Sequence, residues 1–367
     1  MNNKYDQIHV ITSLSKGGAE NMLYKIFKFW KTKSILIICL SEKNFYSNKF
    51  KNENIEVIHL NLNGKNFILK LFILIGILKF KSKSIIGWMY HGNFVATILY
   101  LYRIALFNNV NLIWNIRQTL YDIKYEKKST YFIIKLNKLL SSFPKKIIYN
   151  SRLSIKHHKE EGFNKKNSIF IPNGFELEYV TDYHNTNLKE NLNISKNDIV
   201  ISHINRFHPM KNHKLALEVA DEVLSKYKNI KFIFCGKDIN LNNEEFLKLV
   251  KLDEKKLKKC FFLDDIDNVN ELLSFTNLFL LTSSWGEGFP NIIGEAMFNE
   301  CNIISTKVGD VENILDKNSI IVPINSKKDI LNNIDLLLST KKIFKKNSHA
   351  REIIKQNFSI HNIIKKF

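Results

Sequence analysis

The chain has 367 residues, 45% of them hydrophobic and 25% charged, a length beyond one small core and a composition that excludes a disordered chain. Five prolines and 13 glycines exclude fibrous and low-complexity classes. The formal charge of +20 is uneven, with 28 Lys/Arg against 11 Asp/Glu in residues 1–180 and 27 against 24 thereafter, so the first half is expected to meet an anionic partner.

In chain order, short β-branched runs at 8–11, 35–40, 55–60, 85–90, 111–116, 146–149 and 168–171 read as strands. Helix-length segments at 19–30, 67–80, 94–106 and 130–140 lie between them. The alternation restarts with strands at 198–204, 230–235, 260–263, 277–281, 301–305 and 319–322. Helices at 211–225, 268–275, 290–299 and 327–338 accompany this second series. Near-continuous apolar strands alternating with helices predict parallel sheets covered on both faces.

The fold class is therefore α/β: two Rossmann-like doubly wound domains facing across a cleft. The boundaries expected are 1–175, 176–347 and a C-terminal helical segment 348–367 that packs back on the first domain, with the hinge at 172–193. Ligands of such sheets bind at strand carboxyl ends.

No run reaches about 18 apolar residues, so no transmembrane helix is predicted. Segment 67–80 is apolar, but Lys70 and Lys79 interrupt it. It reads as a buried crossover helix or as an interfacial helix meeting anionic headgroups. The start, MNNKYDQIHVITSL, lacks a signal-peptide core, and the four cysteines are far apart in sequence. Both features predict a cytoplasmic chain without disulfides.

Residues 280–299, LLTSSWGEGFPNIIGEAMFN, carry the most chemistry. A strand runs into a glycine-containing loop and then a helix near Pro290. Backbone N–H groups over Gly288, Phe289, Pro290 and Asn291 are expected to be free for an anion. Glu287 stands before the helix and Glu295 on its second turn, with seven residues between. A carboxylate accepting two hydrogen bonds suits a sugar or ribose diol. Two acids near a helix start are otherwise commonplace.

Arg206 and Lys211, in RFHPMK after the strand 198–204, are placed to neutralise a diphosphate. Gly17 and Gly18 open the first helix without a G-x-G-x-x-G pattern. WMYHGN puts His91 and Asn93 after the fourth strand, and WNIR puts Arg117 after the fifth. A lone histidine is more often structural than functional.

In this order, the motifs resemble glycosyltransferase family 4, retaining enzymes of the GT-B fold. Glu287 and Glu295 match its Glu-x7-Glu motif, and Arg206 and Lys211 its donor-diphosphate pair. Gly17 and Gly18 match its N-terminal glycine loop, and His91 its cleft histidine. IPNG at 171–174 and Val308-Gly309-Asp310 also resemble family segments. One departure is the run Leu-Asp-Asp-Ile-Asp at 263–267, which lacks the family's glycine.

The resemblance implies catalysis by His91, Glu287, Arg206 and Lys211. It implies donor contacts from Gly17 and Gly18, from Glu287 through Asn291, and from Glu295. His91, Asn93 and Arg117 are acceptor-side candidates. No metal or other cofactor is implied, since the cations and a helix N-terminus can hold the departing diphosphate.

WMYHGN with WNIR is similar to members that build bacterial surface polysaccharides, so the implied partners are a nucleotide sugar, favoured as a UDP-sugar, and a polyprenyl diphosphate-linked glycan. Anionic lipid at the inner face of the membrane is implied as well, and nucleic acid is not. The alternatives are a nucleotide-sugar epimerase on the same fold and a non-enzymatic anionic-lipid binder.

Overall fold

The computed structural model describes residues 4–30, 34–62, 76, 78–120, 123, 127–177 and 188–367. The expected helix at 67–80 lies largely outside them. The chain divides into two compact units, Met1–Gly174 with Ile360–Phe367, and Phe175–Ser359.

The first unit holds a parallel sheet in the order β3-β2-β1-β4-β5-β6-β7. Its strands are β1 (Lys4–Ile11), β2 (Ile35–Cys39), β3 (Glu56–His59), β4 (Lys81–Trp88), β5 (Asn111–Ile116), β6 (Lys146–Tyr149) and β7 (Ser168–Phe170). Every residue of β2 is buried. Its side chains alternate between the faces: Leu36 and Ile38 join one apolar cluster, while Ile35, Ile37 and Cys39 join another. That period of two, with both faces apolar, explains a strand that reads as one hydrophobic run. Each fully buried aliphatic side chain contributes about 1.5–3 kcal/mol.

The second unit repeats the plan in the order β10-β9-β8-β11-β12-β13. Its strands are β8 (Ile199–Ile204), β9 (Ile230–Cys235), β10 (Cys260–Leu263), β11 (Leu278–Leu281), β12 (Asn302–Thr306) and β13 (Ile320–Val322). In β9, Ile233 and Cys235 face one core, and Phe232 and Phe234 the other. The two-domain parallel α/β expectation is borne out.

Two local expectations change. The basic segment 348–367 is two helices, Ser348–Phe358 and Ile360–Ile364, separated by Ser359 in extended backbone. Ala350, Ile354 and Phe358 bury themselves in the second unit; Ile360 and Ile363 do so in the first. Gly174 makes room for the latter, since a Cβ there would meet the Ile360 Cα at 2.9 Å.

The helix after β4 begins at Met89, not near residue 94. Met89 takes φ +60, which turns strand directly into helix. Gly92 then lets the first turn approach β1, where a Cβ would sit 2.5 Å from the Val10 carbonyl oxygen.

Candidate active site

In the second unit, the loops after β8 and β11 are joined by a network of short polar contacts. Ser284 N–H donates to the Met210 carbonyl at 2.8 Å. Thr282 Oγ1 donates to the Lys211 carbonyl at 2.9 Å. Asn212, left-handed at φ +50, caps the helix His213–Lys226 through its side chain, and its Nδ2 donates to Ser284 Oγ at 3.1 Å. Asparagine tolerates that backbone while capping, which a larger apolar residue does not.

This stitching brings Lys211 and Glu287 together. Lys211 Nζ lies 2.5 Å from Glu287 Oε1, with side chains only 14% and 8% exposed. Ser283 Oγ donates to the same oxygen at 2.7 Å. A nearly buried, hydrogen-bonded ion pair is a strong local charge arrangement that a diphosphate can enter by competing for the ammonium. Arg206 is exposed on the same loop.

Pro290 is the N-cap, and the helix runs Asn291–Phe298. Glu295 is half-buried on that helix. Phe289 is 5% exposed and packs on the rings of Phe175 and Phe358, so its side chain belongs to the core rather than to a ligand surface. The loop after β12 braces the glycine loop from behind. Asp310 N–H donates to the Gly288 carbonyl at 2.9 Å. Gly309, at φ +54, leaves no space for a Cβ, which would meet that same oxygen at 2.5 Å.

Gly236 was not singled out in the sequence. It follows β9 at φ +140, and a Cβ there would collide with the backbone of Asn205 and Arg206. The signal that was available is a lone glycine at the end of an apolar strand. Asp264 ties the neighbouring loops: its carboxylate accepts from Asp238 N–H at 3.0 Å and from Asn240 Nδ2 at 2.9 Å. An open pocket of about 630 Å³ adjoins the Arg206 loop, lined by Phe207, His208, Pro209 and Asp238 among others.

Two buried histidines underlie this loop. His203 Nε2 is 3.0 Å from Thr282 Oγ1. Since that hydroxyl donates to Lys211, His203 is the donor. Burial lowers His203 well below its ordinary value and lowers His213 to about 4. In the first unit, burial beside Tyr90 and Ser154 brings His158 to about 3.

The unfolded chain binds protons at these sites below about pH 6.5 while the folded chain does not. Stability is therefore expected to fall as pH drops from 6.5 toward 4, by roughly 1.4 kcal/mol per unit for each group. Thermal melts across that range test this. His158→Gln is expected to flatten the profile, and an unchanged slope would count against a neutral buried imidazole.

The first unit carries the remaining expected residues. Gly17 is the N-cap of the helix Gly18–Phe29, in extended backbone. His91 is half-buried on the first turn of the helix Met89–Ala105, and burial lowers its pKa. Asn93 is fully buried; its Oδ1 lies where a Gly87 Cβ would come within 2.6 Å. The helix face it occupies covers the sheet, and its side chain is buried there.

Arg117 follows β5 and is stacked against Trp88 and Phe367, at 5.5 and 5.6 Å from the ring centroids. Its Nη1 donates to Asn173 Oδ1. Burial depresses its pKa to about 9, and its Nε and Nη2 have no protein partner.

Residues 184–357, nearly the whole second unit, match the family of glycosyl transferases group 1. HepE of Anabaena, solved with UDP and glucose, is 18% identical, with a TM-score of 0.80 over 98% of each chain. A glycosyltransferase from Rickettsia africae is 19% identical, with a TM-score of 0.78 over 100% of this chain and 97% of its own. A lipopolysaccharide outer core galactosyltransferase, WaaB, is 12% identical, with a TM-score of 0.70 over 99% and 98%. No curated protein matches the chain in sequence. The fold is that of GT-B glycosyltransferases, and within it residues 184–357 match the group 1 family.

Proposed function

We propose that the protein is a retaining glycosyltransferase that moves a hexose or N-acetylhexosamine from a UDP-sugar to a lipid-linked glycan. The work would be done at the inner face of the membrane during assembly of a bacterial surface polysaccharide. The observation that carries the reading is the buried Lys211–Glu287 pair at the strand ends of the group 1 domain. HepE has been solved with UDP and with UDP-glucose, which favours UDP as the carrier. The strongly basic first half supports an anionic, membrane-held acceptor.

In this reaction, the C1–oxygen bond to the diphosphate breaks and its electron pair goes to the leaving phosphate. The acceptor oxygen bonds to C1 on the same face, and its proton passes to a phosphate oxygen. The protein contributes position and charge. Arg206, Lys211 and the helix beginning at Asn291 hold the diphosphate. Glu287 holds sugar hydroxyls, and Glu295 the ribose. Gly17 and Gly18 allow close backbone approach to the donor. In the first unit, His91 and the guanidinium of Arg117 are assigned to the acceptor side. With two cations on the diphosphate, no divalent metal is required.

A thermal-shift panel of nucleotide diphosphates, with and without EDTA, tests the reading. UDP is expected to raise Tm by mass action. The shift should survive EDTA and vanish in Glu295→Ala. A shift abolished by EDTA would overturn metal independence, and no shift with any nucleotide would overturn the donor site.

A further inference from the structure

Two neighbouring helices of the first unit, Met89–Ala105 and Lys128–Leu140, cover the same face of its sheet. Ala96 and Leu99 from one and Ile134 from the other enter one buried cluster. Their opposite sides therefore face away from the sheet together.

Those outward sides are apolar where solvent-facing helices are ordinarily polar. Phe132 is 62% exposed, Leu139 75% and Phe107 100%. Ile98, Tyr102 and Phe143 are exposed as well. Phe107 is the residue after the Leu106 C-cap and is left-handed at φ +57. Glycine or asparagine ordinarily fills that position, and a bulky aromatic held there, wholly in solvent, is strained.

Among the described residues neither helix carries an acidic side chain, and Glu160 and Glu161 come later in the chain. From residue 81 to 159 the sequence has only Asp122 and Glu126 as acids, and neither is among the described residues. Lys128 and Lys135 are exposed on the helix face that carries Phe132 and Leu139, at spacings of three and four. Exposed Lys145 and Lys146 follow Phe143. Aromatic and aliphatic side chains interspersed with lysines match an anionic bilayer surface. There the apolar groups enter the headgroup–acyl boundary while the ammonium groups meet lipid phosphates. A protein interface core is by contrast depleted in lysine.

We propose that this two-helix face is a membrane-docking surface that binds anionic phospholipid, with Phe107, Phe132 and Leu139 as its inserted anchors. The proposal rests on the membrane-held acceptor above and gives it a location on the fold.

Flotation of the intact protein tests it, using phosphatidylcholine vesicles with and without phosphatidylglycerol. Binding is expected only with phosphatidylglycerol, and weaker at high salt. Phe107→Asn, which suits the left-handed backbone, combined with Leu139→Gln should lower binding about tenfold or more. The UDP-induced rise in Tm is followed in the same variant. It reports the donor site separately, so loss of flotation with that rise intact bears on this face alone.

Unchanged flotation in the variant overturns the proposal, as does equal binding to both vesicle types. A concentration-dependent dimer in sedimentation that the variant abolishes would assign the face to a second copy. Capture on heparin without vesicle binding would assign it to a soluble polyanion.

Discussion

Lys211→Ala is expected to lower kcat/KM by roughly two to three orders of magnitude and to abolish the UDP-induced rise in Tm. The scale is that of losing one preorganised charge aimed at a group that becomes more negative in the transition state. The same change also removes the partner of a nearly buried carboxylate, because Lys211 Nζ sits 2.5 Å from Glu287 Oε1. Orphaning one member of a buried pair costs about 3–5 kcal/mol of stability, so reduced activity alone would be ambiguous.

A second variant separates the two effects. Lys211→Met with Glu287→Gln removes both charges and keeps an oxygen for the Ser283 hydroxyl, which donates to Glu287 at 2.7 Å. Replacing a buried pair by neutral groups of similar volume is often neutral or stabilising. Tm is expected to recover toward the parent value while activity stays low. If both recover together, the pair is a structural brace and the catalytic assignment fails.

The architecture was legible because it rests on strong local signals. β9 and β10 fall on the residues that their apolar runs mark, and β2 and β8 are buried along their whole length. Elements without a broad apolar stripe escaped. The helix Phe45–Asn52 has a mixed composition and owes its start to a capping box between Asn44 and Ser47, and four-residue helices such as Glu244–Leu247 carry too short a period to read.

At the site, the motif order pointed to Lys211 and Glu287. It did not reveal that they pair, nor that Gly236 lies against the Asn205–Arg206 backbone. Such contacts join residues far apart in sequence, and only the register of β8, β9 and β11 brings them together. Position after a strand does not fix which helix face a residue takes, so the burial of Asn93 was not legible either.

Gly309→Ala is the second large effect expected, and it acts with no change in charge or polarity. Gly309 has φ +54, and an added Cβ would meet the Gly288 carbonyl oxygen at 2.5 Å and the Glu287 carbonyl oxygen at 2.8 Å. Both neighbours are backbone, so neither can swing aside as a side chain would. The left-handed conformation and the collision each cost on the order of 1–3 kcal/mol.

Part of that strain can be relieved by pushing the 286–289 loop away, which weakens the Asp310 N–H bond to Gly288. Glu287 would then lose its place beside Lys211 and Ser283. Positioning errors of about 1 Å at a reacting centre cost up to roughly a hundredfold in rate. Gly309→Ala is therefore expected to lower kcat/KM by tenfold to about a hundredfold, with a reduced Tm. Asp310→Asn keeps the backbone N–H and serves as the control for the loop. A Gly309→Ala enzyme with parental kcat/KM would show that the loop after β12 does not set the position of Glu287.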